Sequence, residues 1–196
     1  MISNGKWVLG LLLSVFFVMA GCADKTIPDS TDWPVKPFTF TNQNQQDISS
    51  EDLKGKIWVA DFMFTTCADV CLPMTSNMAK LQKKLKEEGI KDVEFVSFSV
   101  DPKVDTPAVL KSFADQFNID YANWQFLTGY EQSYIEKFAA DQFHTLVKKP
   151  ETGDQVIHGT DVYLVNQEGK IVKSYSGVKD FPLDEIIEHI HILQKS

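Results

Sequence analysis

Ile57-Trp58-Val59-Ala60-Asp61-Phe62-Met63-Phe64, followed at once by Thr65-Thr66-Cys67-Ala68-Asp69-Val70-Cys71, is the stretch on which the fold turns. The first part is apolar on both of its alternating faces except at Asp61, as in a strand inside a sheet covered on both sides. From Pro73 onward Met74, Met78, Leu81 and Leu85 recur at helical spacing until Gly89 closes the run. The two cysteines therefore sit at a strand-to-helix turn. A thiolate is favoured there, because the helix dipole and the unpaired N–H groups of the first turn both attract negative charge.

Outward from this point, strands and helices alternate. Residues 93–100 form a second strand that ends in Asp101-Pro102, and Thr106-Pro107 opens a helix to residue 117 with threonine as the cap and proline in the first turn. A short strand at 124–127 and a helix at 131–143 follow. Residues 162–165 and 171–175 make a hairpin across Asn166-Gln167-Glu168-Gly169, and 182–193 is the last helix. Upstream, residues 37–41 and Ile48 flank the polar turn 42–47, an added N-terminal hairpin. This order is α/β, a mixed sheet with helices on both faces, and with a cysteine pair at the first strand-to-helix turn it points to a thioredoxin-like fold.

The chain has 196 residues, 43% of them hydrophobic, enough for one domain with a substantial core and a short appendage. Acidic residues outnumber basic ones 27 to 19, and every basic residue is lysine. A chain of net charge −8 without a single guanidinium fork is poorly equipped to hold phosphate backbones, so nucleic-acid binding is excluded. Before the domain, Lys6 precedes an uncharged apolar run over residues 7–20, shorter than the roughly 20 residues that span a bilayer. It reads as the core of a signal peptide, residues 1–21. Met19-Ala20-Gly21-Cys22 resembles the bacterial lipobox, which makes Cys22 the lipid-modified residue after cleavage. The polar segment 22–32 then reads as a lipid-anchored tether to a domain at 33–196, and the protein as a monomer held on the extracytoplasmic face of the cell membrane.

With Cys22 assigned to lipid, Cys67 and Cys71 remain and must be read as a pair. A disulfide that closes so short a loop stabilises little, so a close pair outside the cytoplasm indicates redox chemistry or metal binding. The spacing is C-x-x-x-C instead of the C-x-x-C of thioredoxin-type oxidoreductases, and where the chain turns helically positions four apart share a face. Two soft thiolates select Cu(I) or zinc, and an imidazole would complete a site that also accepts Cu(II). Among the four histidines, His189 and His191 cannot share one face of the last helix, and at least one of them is expected to be solvated. His144 lies at a helix end, where a polar or positive side chain is favoured. His158 precedes Gly159-Thr160 and the late hairpin, on a loop able to fold over the cysteine turn.

Cys67 to Cys71 after an apolar strand, Ser99-Val100-Asp101-Pro102-Lys103-Val104-Asp105-Thr106-Pro107 after the next, and Val156-Ile157-His158 ahead of Tyr163-Leu164-Val165 together resemble the Sco (SenC) family of copper-binding proteins. The resemblance implies that Cys67, Cys71 and His158 ligate copper, as Cu(I) and Cu(II). It implies Asp101 as an acidic residue beside the ligands, and a metallochaperone that assists assembly of the binuclear copper A site in its partner subunit of cytochrome c oxidase. Two positions depart from the family pattern. Leu72 stands where proline usually follows the second cysteine, which is expected to alter the helix start, and Gly159 stands where serine usually follows the histidine, which is expected to loosen the histidine loop.

Asp61 needs a hydrogen-bonding partner in its buried strand or else tunes the nearby thiols. The helical spacing of the methionines makes Met74 and Met78 core residues, as the strand does Met63, before any role as thioether ligands. The alternative function is a thiol:disulfide oxidoreductase that uses Cys67 and Cys71 as its redox pair on a partner protein. A peroxidase reading is weaker, because the peroxiredoxin pattern P-x-x-x-T-x-x-C would need proline and threonine where the chain has Ala60 and Phe64.

Overall fold

A computed structural model describes residues 26–195. The signal-peptide reading of 1–21 and the lipidation of Cys22 lie outside the described residues. Strands β1 (Trp33–Pro34), β2 (Thr39–Asn42), β3 (Asp47–Ser49), β4 (Ile57–Met63), β5 (Val93–Ser99), β6 (Trp124–Thr128), β7 (Val147–Lys148), β8 (Ile157–His158), β9 (Asp161–Val165) and β10 (Lys170–Ser176) are joined by helices α1 (Cys71–Glu87), α2 (Pro107–Ala114), α3 (Gln132–Phe143) and α4 (Leu183–Leu193). Eight strands form one sheet in the order β1-β10-β9-β4-β5-β6-β2-β3, with β4, β5 and β6 parallel and the rest antiparallel to their neighbours. The expected mixed sheet and N-terminal hairpin are present, and the hairpin β2–β3 extends the sheet beyond β6.

The helix boundaries follow from local chemistry. The Thr106 hydroxyl accepts from the Val109 N–H with Pro107 in the first turn, and α1 gives way to Gly89 in the left-handed conformation, at φ +72°. Strand β4 is buried along its whole length at the centre of the sheet. Successive side chains on it point to opposite faces. Trp58 and Phe62 pack with Phe98 of β5 and Phe143 of α3, and each such ring contributes about 2–3 kcal/mol of burial. Val59, Asp61 and Met63 point to the other face, toward α1, and α1 and α4 touch each other.

The expected tether is docked over most of its described length. Ile27 is buried, the Thr31 N–H and hydroxyl donate to the carbonyls of Val172 and Ile171, and Lys173 donates to the Pro28 carbonyl. Trp33–Pro34 then adds the edge strand beside β10, so the segment runs along the sheet from residue 27 instead of leading freely away from it. Among the described residues no helix is long and apolar enough to cross a membrane.

Candidate metal centre

Strand β4 ends at Met63, and the turn that follows carries Cys67 before α1 begins at Cys71. Leu72 is the second residue of the helix. Cys71 is the first helical residue and Pro73 the third, where the absent N–H has no helical partner to lose. The cysteines therefore do not share a helix face as the spacing suggested. Cys67 lies in the preceding turn, where its Sγ accepts from the Cys71 N–H at 3.4 Å.

His158 arrives from a hairpin that sequence periodicity does not reveal. Strands β7 and β8 pair Val147 with His158 and Lys148 with Ile157, a two-residue ladder too short to leave an alternation pattern. His158 Nε2 lies 3.4 Å from Cys71 Sγ, while Nδ1 lies 2.7 Å from the Gly159 carbonyl oxygen. A carbonyl only accepts, so Nδ1 carries the proton and Nε2 keeps its lone pair toward the sulfurs. Gly159 does not loosen this loop. Its N–H donates to the Leu146 carbonyl, and an added Cβ would fall 2.1 Å from the Thr145 hydroxyl, so glycine is what allows the close approach.

The sulfurs of Cys67 and Cys71 and a ring nitrogen of His158 all lie within 4.8 Å of one another. Donors that share one ion at bonds of about 2.3 Å are separated by at most about 4.6 Å, so a small closure puts all three on a single metal. The two thiols are free and differ in character. Burial opposes ionisation of Cys67, but the Cys71 thiol and the N–H groups of Asp69, Cys71 and Val70 outweigh it and lower its pKa. Burial pushes the Cys71 thiol far up, reinforced by the Cys67 side chain and by the charges of Cys67 and Asp61. Burial also lowers the His158 pKa, partly offset by the Gly159 carbonyl, which keeps the ring in its neutral, ligating form near neutrality.

Asp61 is fully buried near Cys71, and neither of its oxygens has a hydrogen-bond partner among the described residues. Burial raises its pKa to about 7. Asp101 lies outside the group of three donors. Its carboxylate is buried and bound by Lys149 at 2.5 Å, and its backbone carbonyl closes the turn to Val104 and Asp105. Met63, Met74 and Met78 are all buried in the core. His189 is buried and bonded to the Tyr175 hydroxyl at 2.6 Å, His191 is exposed, and His144 caps α3 in the left-handed conformation against the Trp33 ring.

The residue the sequence did not single out is Asp105. Its buried carboxylate accepts from the Thr65 N–H, the Thr65 hydroxyl and the Ser99 hydroxyl, and so pins the start of the cysteine turn to the end of β5. Burial raises its pKa, although Ser99 and Thr65 oppose that shift. Its one signal in the sequence is its place in the S-x-D-P-x-x-D-T-P string.

The family model SCO1/SenC matches residues 29–194. The crystal structure of a SCO1/SenC family lipoprotein from Bacillus anthracis is 51% identical, superposes with a TM-score of 0.83, and the match covers 86% of this chain and 99% of that one. BsSco, a member of the Sco family of cytochrome c oxidase assembly proteins in which a disulfide switch was identified, is 50% identical with a TM-score of 0.80, over 86% of this chain and 98% of that one. ScoI of Arabidopsis thaliana, crystallised with copper bound, is 26% identical with a TM-score of 0.69, over 82% of this chain and 98% of that one. With a thioredoxin-like sheet that presents two cysteines and a histidine at one turn, the chain belongs to the SCO1/SenC family.

Proposed function

We propose that this protein is a copper metallochaperone that carries the ion on Cys67, Cys71 and His158 and assists assembly of the binuclear copper A site of cytochrome c oxidase. The convergence of the three donors within 4.8 Å carries the reading. Two thiolates with one neutral imidazole suit copper in both of its common oxidation states, the thiolates favouring Cu(I) and the added nitrogen accommodating Cu(II). The copper held by the Arabidopsis relative and the oxidase-assembly role of BsSco support the choice of cargo and destination. The N-terminal run and Cys22 support a lipid-anchored protein on the extracytoplasmic face of the membrane, as does the lipoprotein character of the Bacillus anthracis relative.

A second reading is favoured by the asymmetry of the two thiols. Cys67 is partly exposed with a lowered pKa, and Cys71 is buried with a raised one, the arrangement of an attacking and a resolving thiol. On this reading Cys67 attacks a partner's disulfide, Cys71 displaces the partner's sulfur, and the protein leaves with a Cys67–Cys71 disulfide while the partner leaves as a dithiol. Mixing the reduced, copper-loaded protein with a metal-free copper A domain separates the two. With the domain supplied as dithiol, appearance of its purple copper A absorption at the expense of the donor's bound copper is the expected result. If the domain never gains copper but is reduced when supplied as disulfide, the oxidoreductase reading replaces the metallochaperone one.

A further inference from the structure

Gln155 touches the cysteine turn from the loop that carries His158. Its Nε2 donates to the Thr66 carbonyl at 3.1 Å, and its Oε1 accepts from the Ala68 N–H at 3.3 Å. Thr66 and Ala68 are the two neighbours of Cys67, and Gln155 stands three residues before His158. One amide thus brackets one metal-ligating cysteine and is joined by a short piece of backbone to the imidazole. The far end of the same loop is fastened separately, where Lys149 binds the Asp101 carboxylate and the Asp154 carbonyl. Val156, between Gln155 and Ile157, is buried and fixes the backbone between clasp and ligand.

The chemistry of this contact is selective. The cysteine turn offers one acceptor and one donor on either side of Cys67, and the primary amide of Gln155 answers both, its nitrogen donating and its oxygen accepting. Glutamate would still accept from Ala68 but would turn a second lone-pair oxygen toward the Thr66 carbonyl. Gln155 is itself exposed, so its removal opens no cavity and its hydrogen bonds are its main contribution to the structure.

We infer that Gln155 is a positioning residue that clasps the Cys67 turn to the His158 hairpin and thereby governs how firmly the three donors are held around one ion. The inference rests on the copper reading proposed above. Without the clasp the His158 loop meets the cysteine turn through the contacts of its own ring with Cys71 and Phe64 and through the ion, with no bond to the backbone around Cys67, and the ion is released sooner.

The test uses Gln155→Ala and Gln155→Glu in the full-length protein. Copper(II) release to a strong chelator from the reduced, loaded protein is expected to be about tenfold faster in both variants, in the range typical of groups that orient metal ligands. The thermal midpoint of the metal-free protein should stay at the parent value. In metal-free protein the Ala68 amide is expected to exchange with solvent faster in Gln155→Ala, while Gln155→Glu keeps that protection. Unchanged release in both variants, from a parent whose copper(II) binding depends on His158, overturns the inference, as does unchanged Ala68 exchange in Gln155→Ala. A parent without His158-dependent copper binding strikes the copper reading instead, and the Ala68 exchange then decides the clasp by itself.

Discussion

Oxidation of Cys67 and Cys71 to a disulfide is expected to weaken copper binding by more than about a thousandfold, because both soft donors are consumed in one bond and a lone imidazole remains. Cys67→Ser and Cys71→Ser should each lose most of the affinity as well, leaving one thiolate and one nitrogen. Reduction of the disulfide should restore binding fully in the parent and in neither serine variant. The measurement is competition against a chelator of known affinity, with the thiol count of each sample determined alongside. A disulfide form that binds copper as tightly as the dithiol contradicts a site built on these sulfurs.

Asp61→Asn should remove a pH dependence of stability that the parent carries between about pH 4 and pH 7. The Asp61 carboxyl has its pKa raised from 3.8 to about 7 by burial. Within that interval the native protein holds a proton that the unfolded chain has released, so stability falls as pH rises. The group's contribution is most favourable below the unfolded pKa, and the loss is complete above the folded one. At about 1.4 kcal/mol per pH unit over some three units, the span approaches about 4 kcal/mol. Urea unfolding of the reduced, metal-free parent and variant at pH 4.5, 6 and 8 measures it, and the difference between the two proteins isolates Asp61 from the opposing titration of His158. Parallel pH profiles would show that Asp61 titrates near its ordinary value.

The sequence conveyed the parts of this architecture that repeat. Strand β4 and helix α1 announce themselves by runs of apolar residues at spacings that no loop shares, and Thr106-Pro107 and Gly89 mark helix ends by chemistry confined to a few residues. The pair β7–β8 was not legible, because a ladder of two residues on each side leaves no period. Ile27 gave no warning either, as a lone apolar residue in a polar segment whose partners lie about 140 positions away. His189 was within reach of the sequence. It lies three residues after Ile186 and four before Leu193 on the apolar stripe of α4, which is why it is buried while His191 is exposed.

At the candidate site, cysteine spacing pointed to the pair, and the wider string of motifs pointed to His158. Asp105 and Gln155 stayed hidden for a different reason. Each acts through backbone groups of a remote turn, Thr65 for the one and Thr66 and Ala68 for the other, and such partners leave no pattern in a single sequence. Gly159 shows the opposite error, in which an apparent gain of freedom is in fact the space needed beside Thr145.

The measurement that bears most directly on the copper site is the affinity of reduced His158→Ala for Cu(I) and for Cu(II), each against the parent. On the proposed reading two thiolates suffice for the softer ion, whereas Cu(II) depends on the imidazole nitrogen that the Gly159 carbonyl holds toward the sulfurs. The variant is predicted to keep most of its Cu(I) affinity and to lose Cu(II) affinity by about two orders of magnitude or more. Equal loss of both ions, or Cu(II) binding as tight as the parent's with an unchanged spectrum, would contradict the three-donor site.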